Sequence, residues 1–236
     1  MGRIFQTRKA TIFARNDRVA KAFTRIGKEI AIAVKAGGGI PENNSRLKTA
    51  INNAKGVNMP KEKVEAAIKR ATTKDDKGLQ EQVYEGYAPH GVAMMIECAT
   101  DNTTRTISNL RVIVSKGGGT IGSQGSVGFI FDRKGVFRIE KTKLNLDEME
   151  LDLIDSGAEE IDTDEDDIVI HTAFTDFGKM QKFLEGKSIV AKSSELQQIP
   201  NNYKEGLTED QENQVLQLIA KLEDDDDVQQ VFHNLK

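Results

Sequence analysis

Residues 115–131 read SKGGGTIGSQGSVGFIF, and Gly117, Gly119 and Gly122 within them spell G-x-G-x-x-G. Without a Cβ the backbone can approach a phosphate closely or turn sharply. A dinucleotide loop, however, must leave a strand and open a helix, so that the helix N-terminus faces the pyrophosphate. Here the order is reversed. The apolar spacing predicts a helix over 100–116, and a strand is expected over 126–131. Residues 117–125 therefore read as a flexible glycine hairpin at the tip of a lobe, a candidate surface for contact with a ribosome or another protein. The earlier triplet, Gly37 to Gly39, follows a predicted helix and precedes Pro41, so it reads as a helix stop.

Other reactive residue types lack the spacing that chemistry needs. His90, His171 and His233 are far apart and share no metal-ligand pattern. Asp162, Asp164 and Asp166 give D-x-D-x-D, but a calcium loop then needs Gly at the sixth place and Glu at the twelfth. Asp167 and Ala173 stand there, so the segment reads as a solvated hairpin tip. The run EDDDD, 223–227, follows a helix, where the dipole disfavours acids. It reads as a repulsive, solvated end. Cys98 is the single cysteine, which leaves no internal disulfide and no cysteine cluster for a metal. There is no G-x-x-x-x-G-K-[ST] and no nucleophile elbow. The residues give no positive argument for an enzyme, a metal or a cofactor.

What remains is charge. The chain of 236 residues has a net charge of −4, but residues 1–78 hold 18 Lys and Arg against 7 Asp and Glu, while residues 79–236 hold 15 against 30. A basic segment joined to acidic ones points to a polyanion as partner of the basic part. Residues 17–36 predict a helix whose Val19, Phe23, Ile26, Ile30 and Val34 share one side. Arg18, Lys21, Arg25, Lys28 and Lys35 centre almost opposite, as a row of cations. A second helix is expected over 44–55, with Arg46 and Lys48 outward and NNSRLK, 43–48, as a candidate base-reading edge. A third begins near Pro60.

Beyond a polar linker at 73–82 the pattern turns to strands, at 83–87 and 92–99, then the helix to Lys116. From 135 the order is strand, helix 146–156, strands near 159–162 and 167–172, helix 175–186 and strand 188–193. That β-α-β-β-α-β succession is ferredoxin-like. A helix at 208–223 and a strand at 228–233 close the chain. The fold expected is α+β: an N-terminal three-helix bundle, 1–78, and two ferredoxin-like α/β lobes. The second lobe, 134–202, is inserted into the first, formed by 79–133 together with 203–236. No apolar run reaches the ~18–20 residues of a membrane span, and MGRIFQTRKA has no apolar secretory core. A cytoplasmic location is expected.

The segments KAGGGIPENNSRLKTAINNAK, NMPKEKVEAAIKRA, VYEGYAPHGVAMMIECATDNTTRT and SKGGGTIGSQGSVGFIFDRKG resemble the YebC family. That family includes PmpR-type regulators and the mitochondrial translational activator of cytochrome oxidase subunit I. The resemblance covers nearly the whole chain and implies three domains and no catalytic centre. It implies a DNA-binding transcriptional regulator or, as the alternative, a ribosome-associated factor that relieves stalling at stretches such as proline runs. Many members begin with a Gly-His-Ser-Lys-Trp segment, whereas here Gly2 is followed by RIFQTRKATIFARNDR, without tryptophan. The expected partner is DNA or ribosomal RNA. The residues expected to grip its phosphates are Arg3, Arg8, Lys9, Arg15, Arg18, Lys21, Arg25, Lys28, Arg46 and Lys48.

Overall fold

The computed structural model describes residues 3–73, 78–164 and 166–236, with side chains from Val19 onward. The chain divides into two compact units, residues 1–78 and 79–236.

The first unit is a three-helix bundle. Helix α1 runs Arg3–Gly37, α2 Ser45–Gly56 and α3 Lys61–Ala71. The first helix starts far earlier than the expected residue 17. Asn16 and Asp17 resemble a cap, yet the chain passes through them in helical form. Ile26, Ile30, Ala33 and Val34 of α1 meet Leu47, Ala50 and Ala54 of α2 and Val64 of α3 in one core. Val19, expected on that inner stripe, is exposed.

The turn between α1 and α2 is held by one side chain. Gly38 has φ +84°, the left-handed geometry of a helix stop, and its N–H donates to Val34 O at 2.7 Å. Asn44, buried, caps α2 by accepting from the Leu47 N–H at 3.0 Å. Its Nδ2 donates to Ala33 O at 2.7 Å and Gly38 O at 2.9 Å, which fastens the end of α1 to the start of α2. Asn44→Ala should therefore cost about 2–3 kcal/mol, a lost cap plus two orphaned carbonyls. The measurement is a lower urea midpoint by far-UV circular dichroism.

The second unit carries two four-stranded antiparallel sheets. Strands β1 (Gln80–Tyr87) and β2 (Ala93–Thr100) form a hairpin, α4 (Thr103–Lys116) follows, and the short β3 (Thr120–Ile121) pairs with β1. Next come β4 (Phe131–Glu140), α5 (Leu146–Asp155), β5 (Ala158–Thr163), β6 (Asp167–Ala173), α6 (Phe177–Gly186) and β7 (Ser193–Pro200). Their sheet order β5-β6-β4-β7 is the ferredoxin-like arrangement. After α7 (Glu209–Glu223), β8 (Val228–His233) returns to β2, which gives the first sheet the order β3-β1-β2-β8. The second lobe is thus inserted in the first. Its expected start at 134 falls inside β4.

Strand β2 is apolar on both sides because both are covered. Met94, Ile96 and Cys98 pack with Leu110 and Val114 of α4 and Val215, Leu218 and Leu222 of α7. Ala93 and Met95 pack on the opposite side with Val127, Phe131 and Phe232. In the other sheet Phe137, Ile139 and Ile170 face Leu153 of α5 and Met180 and Leu184 of α6.

Three local expectations are corrected. The strand expected at 188–193 lies at 193–200, because Ser188 (φ +58°) turns the chain and Ile189 and Ala191 pack onto the core as a connector. The strand expected at 126–131 is a turn at 128–130 leading into β4. The acidic run 223–227 is not wholly solvated. Asp227 is buried and accepts from Thr106 Oγ1 at 2.8 Å, Thr100 Oγ1 at 3.1 Å and Arg105 Nη2 at 3.1 Å.

Candidate nucleic-acid interface

A 35-residue α-helix is about 52 Å long. Between Arg3 and Gly37 it carries nine cations against Asp17 and Glu29. Lys21, Arg25 and Lys28 recur at four and three residues, so they stand on one face of α1. Lys21 is exposed; Arg25 and Lys28 are half-buried, as long cationic side chains are when their stems lie along the helix. Arg18 falls in the same register. The side chains of Arg3, Arg8, Lys9, Arg15 and Arg18 lie outside the described residues, although their backbone is part of α1.

The inner face of α1 is fixed by Ile26, Ile30 and Val34, so the packing of the bundle determines where the cations point. Phe23, between the two faces, lies under the Lys63 ammonium of α3, 4.9 Å from the ring centroid. Arg46 and Lys48 on α2 are both exposed, but two positions on a helix diverge by about 200°. They do not form one patch. Asn44, part of the candidate base-reading edge, is buried and committed to the cap and two carbonyls. What the described side chains bring together is a charge stripe rather than a set of base readers.

In the second unit the glycine segment is not a phosphate loop. Helix α4 ends at Lys116, and the Gly117 N–H closes on Ile113 O at 3.0 Å, so the helix C-terminus faces the run. Thr120 and Ile121 then pair with Tyr87 and Gly86. Gly86 permits this, because a Cβ there would collide with the Thr120 backbone.

The residue sequence reasoning missed is Glu85. It is buried, and its carboxylate accepts the Gly125, Val127 and Gly128 N–H groups, each at 2.8 Å. Burial opposes its charge, but those three donors outweigh burial and hold the carboxyl below its ordinary range. Two of the three, the Val127 and Gly128 N–H groups, are ones that an expected strand at 126–131 would have used. The only signal was one acid inside VYEGY, a pattern shared with any strand edge. Elsewhere His90 meets Gln214 Oε1 at 2.9 Å, and His171 lies 3.4 Å from Asp162. Burial holds the imidazole of His233 below its ordinary value. Among the described residues no group of three or more His, Cys, Asp or Glu is placed to hold a metal.

A basic helical unit followed by two antiparallel sheets, each covered by a helix pair, defines an α+β protein whose distinctive surface is cationic. The chain belongs to the YebC family. Residues 3–74 match the family described as TACO1/YebC protein N-terminal domain, and residues 79–235 match the TACO1/YebC second and third domain. A probable transcriptional regulatory protein of Cytophaga hutchinsonii is 53% identical over 235 residues, covering 100% of this chain and 98% of its own. One of Myxococcus xanthus is 50% identical over 240 residues, with 100% of both chains covered. The crystal structure of a conserved hypothetical protein from Aquifex aeolicus superposes with a TM-score of 0.83 at 35% identity, covering 92% of this chain and 90% of that one. The Cytophaga and Myxococcus relatives carry regulatory rather than enzymatic names. Among the described residues no helix is long and apolar enough to cross a membrane.

Proposed function

We propose that this protein is a non-enzymatic regulator of gene expression that binds nucleic acid through its basic helical unit. The observation that carries the reading is the one-signed stripe of Lys21, Arg25 and Lys28 on a helix whose opposite face is core. A row of cations at helical spacing engages phosphates and gives affinity without reading bases. The relatives' names, probable transcriptional regulatory proteins, support a role in transcription, for which DNA would be the polyanion.

A second reading, a translation factor on ribosomal RNA, is favoured by Asn44. Its burial removes one of the candidate base-reading side chains of the basic unit, and recognition by shape and backbone suits structured RNA. Sedimentation of a DNase-treated lysate through sucrose at about 0.15 M salt, near-physiological screening, separates the two. Residence at the top of the gradient, with genomic DNA recovered before digestion, supports the DNA regulator. Co-migration with ribosomes, lost on charge reversal of the stripe, supports the translation factor and overturns transcription as the primary role.

A further inference from the structure

The inserted lobe leaves the first lobe and returns to it through one pair of chains. The crossings lie at Ile130–Phe131, entering β4, and at Pro200–Asn201, leaving β7. They are tied to each other: Phe131 faces Pro200 in the β4–β7 ladder, and the Asn201 N–H donates to Ile130 O at 2.9 Å. A two-chain ribbon of this kind can serve as a hinge, because a small φ/ψ change in both chains turns one lobe against the other. Past the ribbon the lobes meet along β7, at the face of the first sheet that α4 and α7 leave uncovered. The register sets Val83, Glu97 and Gln230 side by side on that face. Two amide–carboxylate bonds cross the seam in opposite senses. Gln198 Nε2 of the inserted lobe donates to Glu97 Oε1 at 3.3 Å, and Gln230 Nε2 of the first lobe donates to Glu195 Oε2 at 3.4 Å. Both are longer than the roughly 2.7–3.2 Å usual for N–H···O, so each is weak.

The charges at this seam are unbalanced. Glu97 is half-buried and is acted on by carboxylates from two other strands, Glu81 of β1 and Glu195 of β7. The opposing cation is Arg133 of β4, whose guanidinium also lies over the Phe174 ring, 4.8 Å from its centroid. Burial pushes the Glu97 carboxyl above its ordinary value. Glu81 and Glu195 push the same way, and the Gln198 amide and Arg133 offset only part of this. The closed seam therefore favours a proton on Glu97 that is released when opening returns the carboxylate to water.

We propose that the seam between the two lobes is a proton-linked hinge: uncharged Glu97 keeps it closed, and charged Glu97, repelled by Glu81 and Glu195, opens it. The device is independent of the nucleic-acid reading, which rests on the other unit. Between the ordinary carboxylate value and the raised one, the closed state holds a proton that the open state has lost. The opening constant therefore rises with pH, by up to about tenfold per unit in that window, and is constant above it. The chain has no tryptophan, so Val83→Trp, at an exposed position beside Glu97, places a lone indole at the seam. The full-length protein is titrated with acrylamide, a neutral quencher, at about pH 5 and about pH 8. Quenching should be stronger at the higher pH. Glu97→Gln keeps an acceptor for Gln198 but cannot ionise, and in the same background it should give the weaker quenching at both. An indole at Val112, exposed on α4, should not respond to pH. Hydrogen exchange of the β7 amides in the wild-type chain, corrected for intrinsic rates, should be faster at the higher pH, which shows that the indole itself has not opened the seam.

Equal quenching at the two pH values, together with equal corrected exchange, overturns the hinge. A pH response that persists in Glu97→Gln overturns Glu97 as its proton site. A response that comes with loss of the far-UV circular-dichroism signal overturns it as well, in favour of unfolding.

Discussion

Reversing Arg18, Lys21, Arg25 and Lys28 to glutamate should weaken binding to duplex DNA or structured RNA by about 100-fold or more, since four attractions of up to roughly 1 kcal/mol each become repulsions. The stripe lies opposite Ile26, Ile30 and Val34, so the bundle core is untouched. The variant should keep its helical circular-dichroism signal. Fluorescence anisotropy with a labelled 24-base-pair duplex checks the affinity, and circular dichroism checks the fold. Unaltered affinity in a folded variant would move the interface off this face. A parallel reversal of acidic Glu148, Glu150 and Asp152 on α5 to lysine should not weaken binding, because those side chains stand on an exposed acidic helix of the other unit.

Glu85→Ala is expected to be the most damaging single change in the second unit. It orphans three N–H donors around a carboxylate site from which water is largely excluded, at a cost of about 3–5 kcal/mol. Glu85→Gln keeps one acceptor oxygen but loses the charge, and should cost about half as much. Both are read as lower urea midpoints for the second unit. The pH dependence has a definite sign. Because the folded carboxyl titrates below its unfolded value, its stabilisation is present above the ordinary carboxylate range and is lost as pH falls through the lower folded value. Wild type should therefore lose more stability than Glu85→Gln on acidification below about pH 4.5. An equal acid sensitivity in the two proteins would mean that Glu85 is not ionised in the folded state.

Much of this fold was legible because period and punctuation agreed. The apolar spacing of Ile26, Ile30 and Val34, and the stop at Gly37 to Gly39, give the end of α1 and its inner face. Its beginning was not legible. Asn16 and Asp17 have the side chains of a cap, and only the helical continuation of the backbone through them shows otherwise. The β-α-β-β-α-β succession was readable from alternating periods, but β7 was shifted. Ile189, Val190 and Ala191 look more like a strand than SSELQQIP, whose polar residues form the true edge. Two polar residues assigned to solvent or to partners by their type proved structural. Asn44 is a buried cap and Asp227 an acceptor for two threonines and an arginine. Long-range hydrogen bonds such as Glu85 to Val127, 42 residues apart, leave no local periodic trace. For the candidate interface, the cations of α1 were visible as a stripe from their spacing alone. The divergence of Arg46 and Lys48 follows from the same geometry.

The salt dependence of wild-type binding tests the phosphate-gripping helix most directly. Dissociation constants for the 24-base-pair duplex are measured between 0.05 and 0.3 M salt and plotted as log affinity against log salt concentration. Each duplex phosphate neutralised contributes about 0.9 to the slope. A slope of about −3.6 or steeper, losing about 3.6 of its magnitude in the four-residue reversal if each cation meets one phosphate, is the expected result. A flat line for the wild-type protein would contradict a phosphate-binding role for the cationic face of α1.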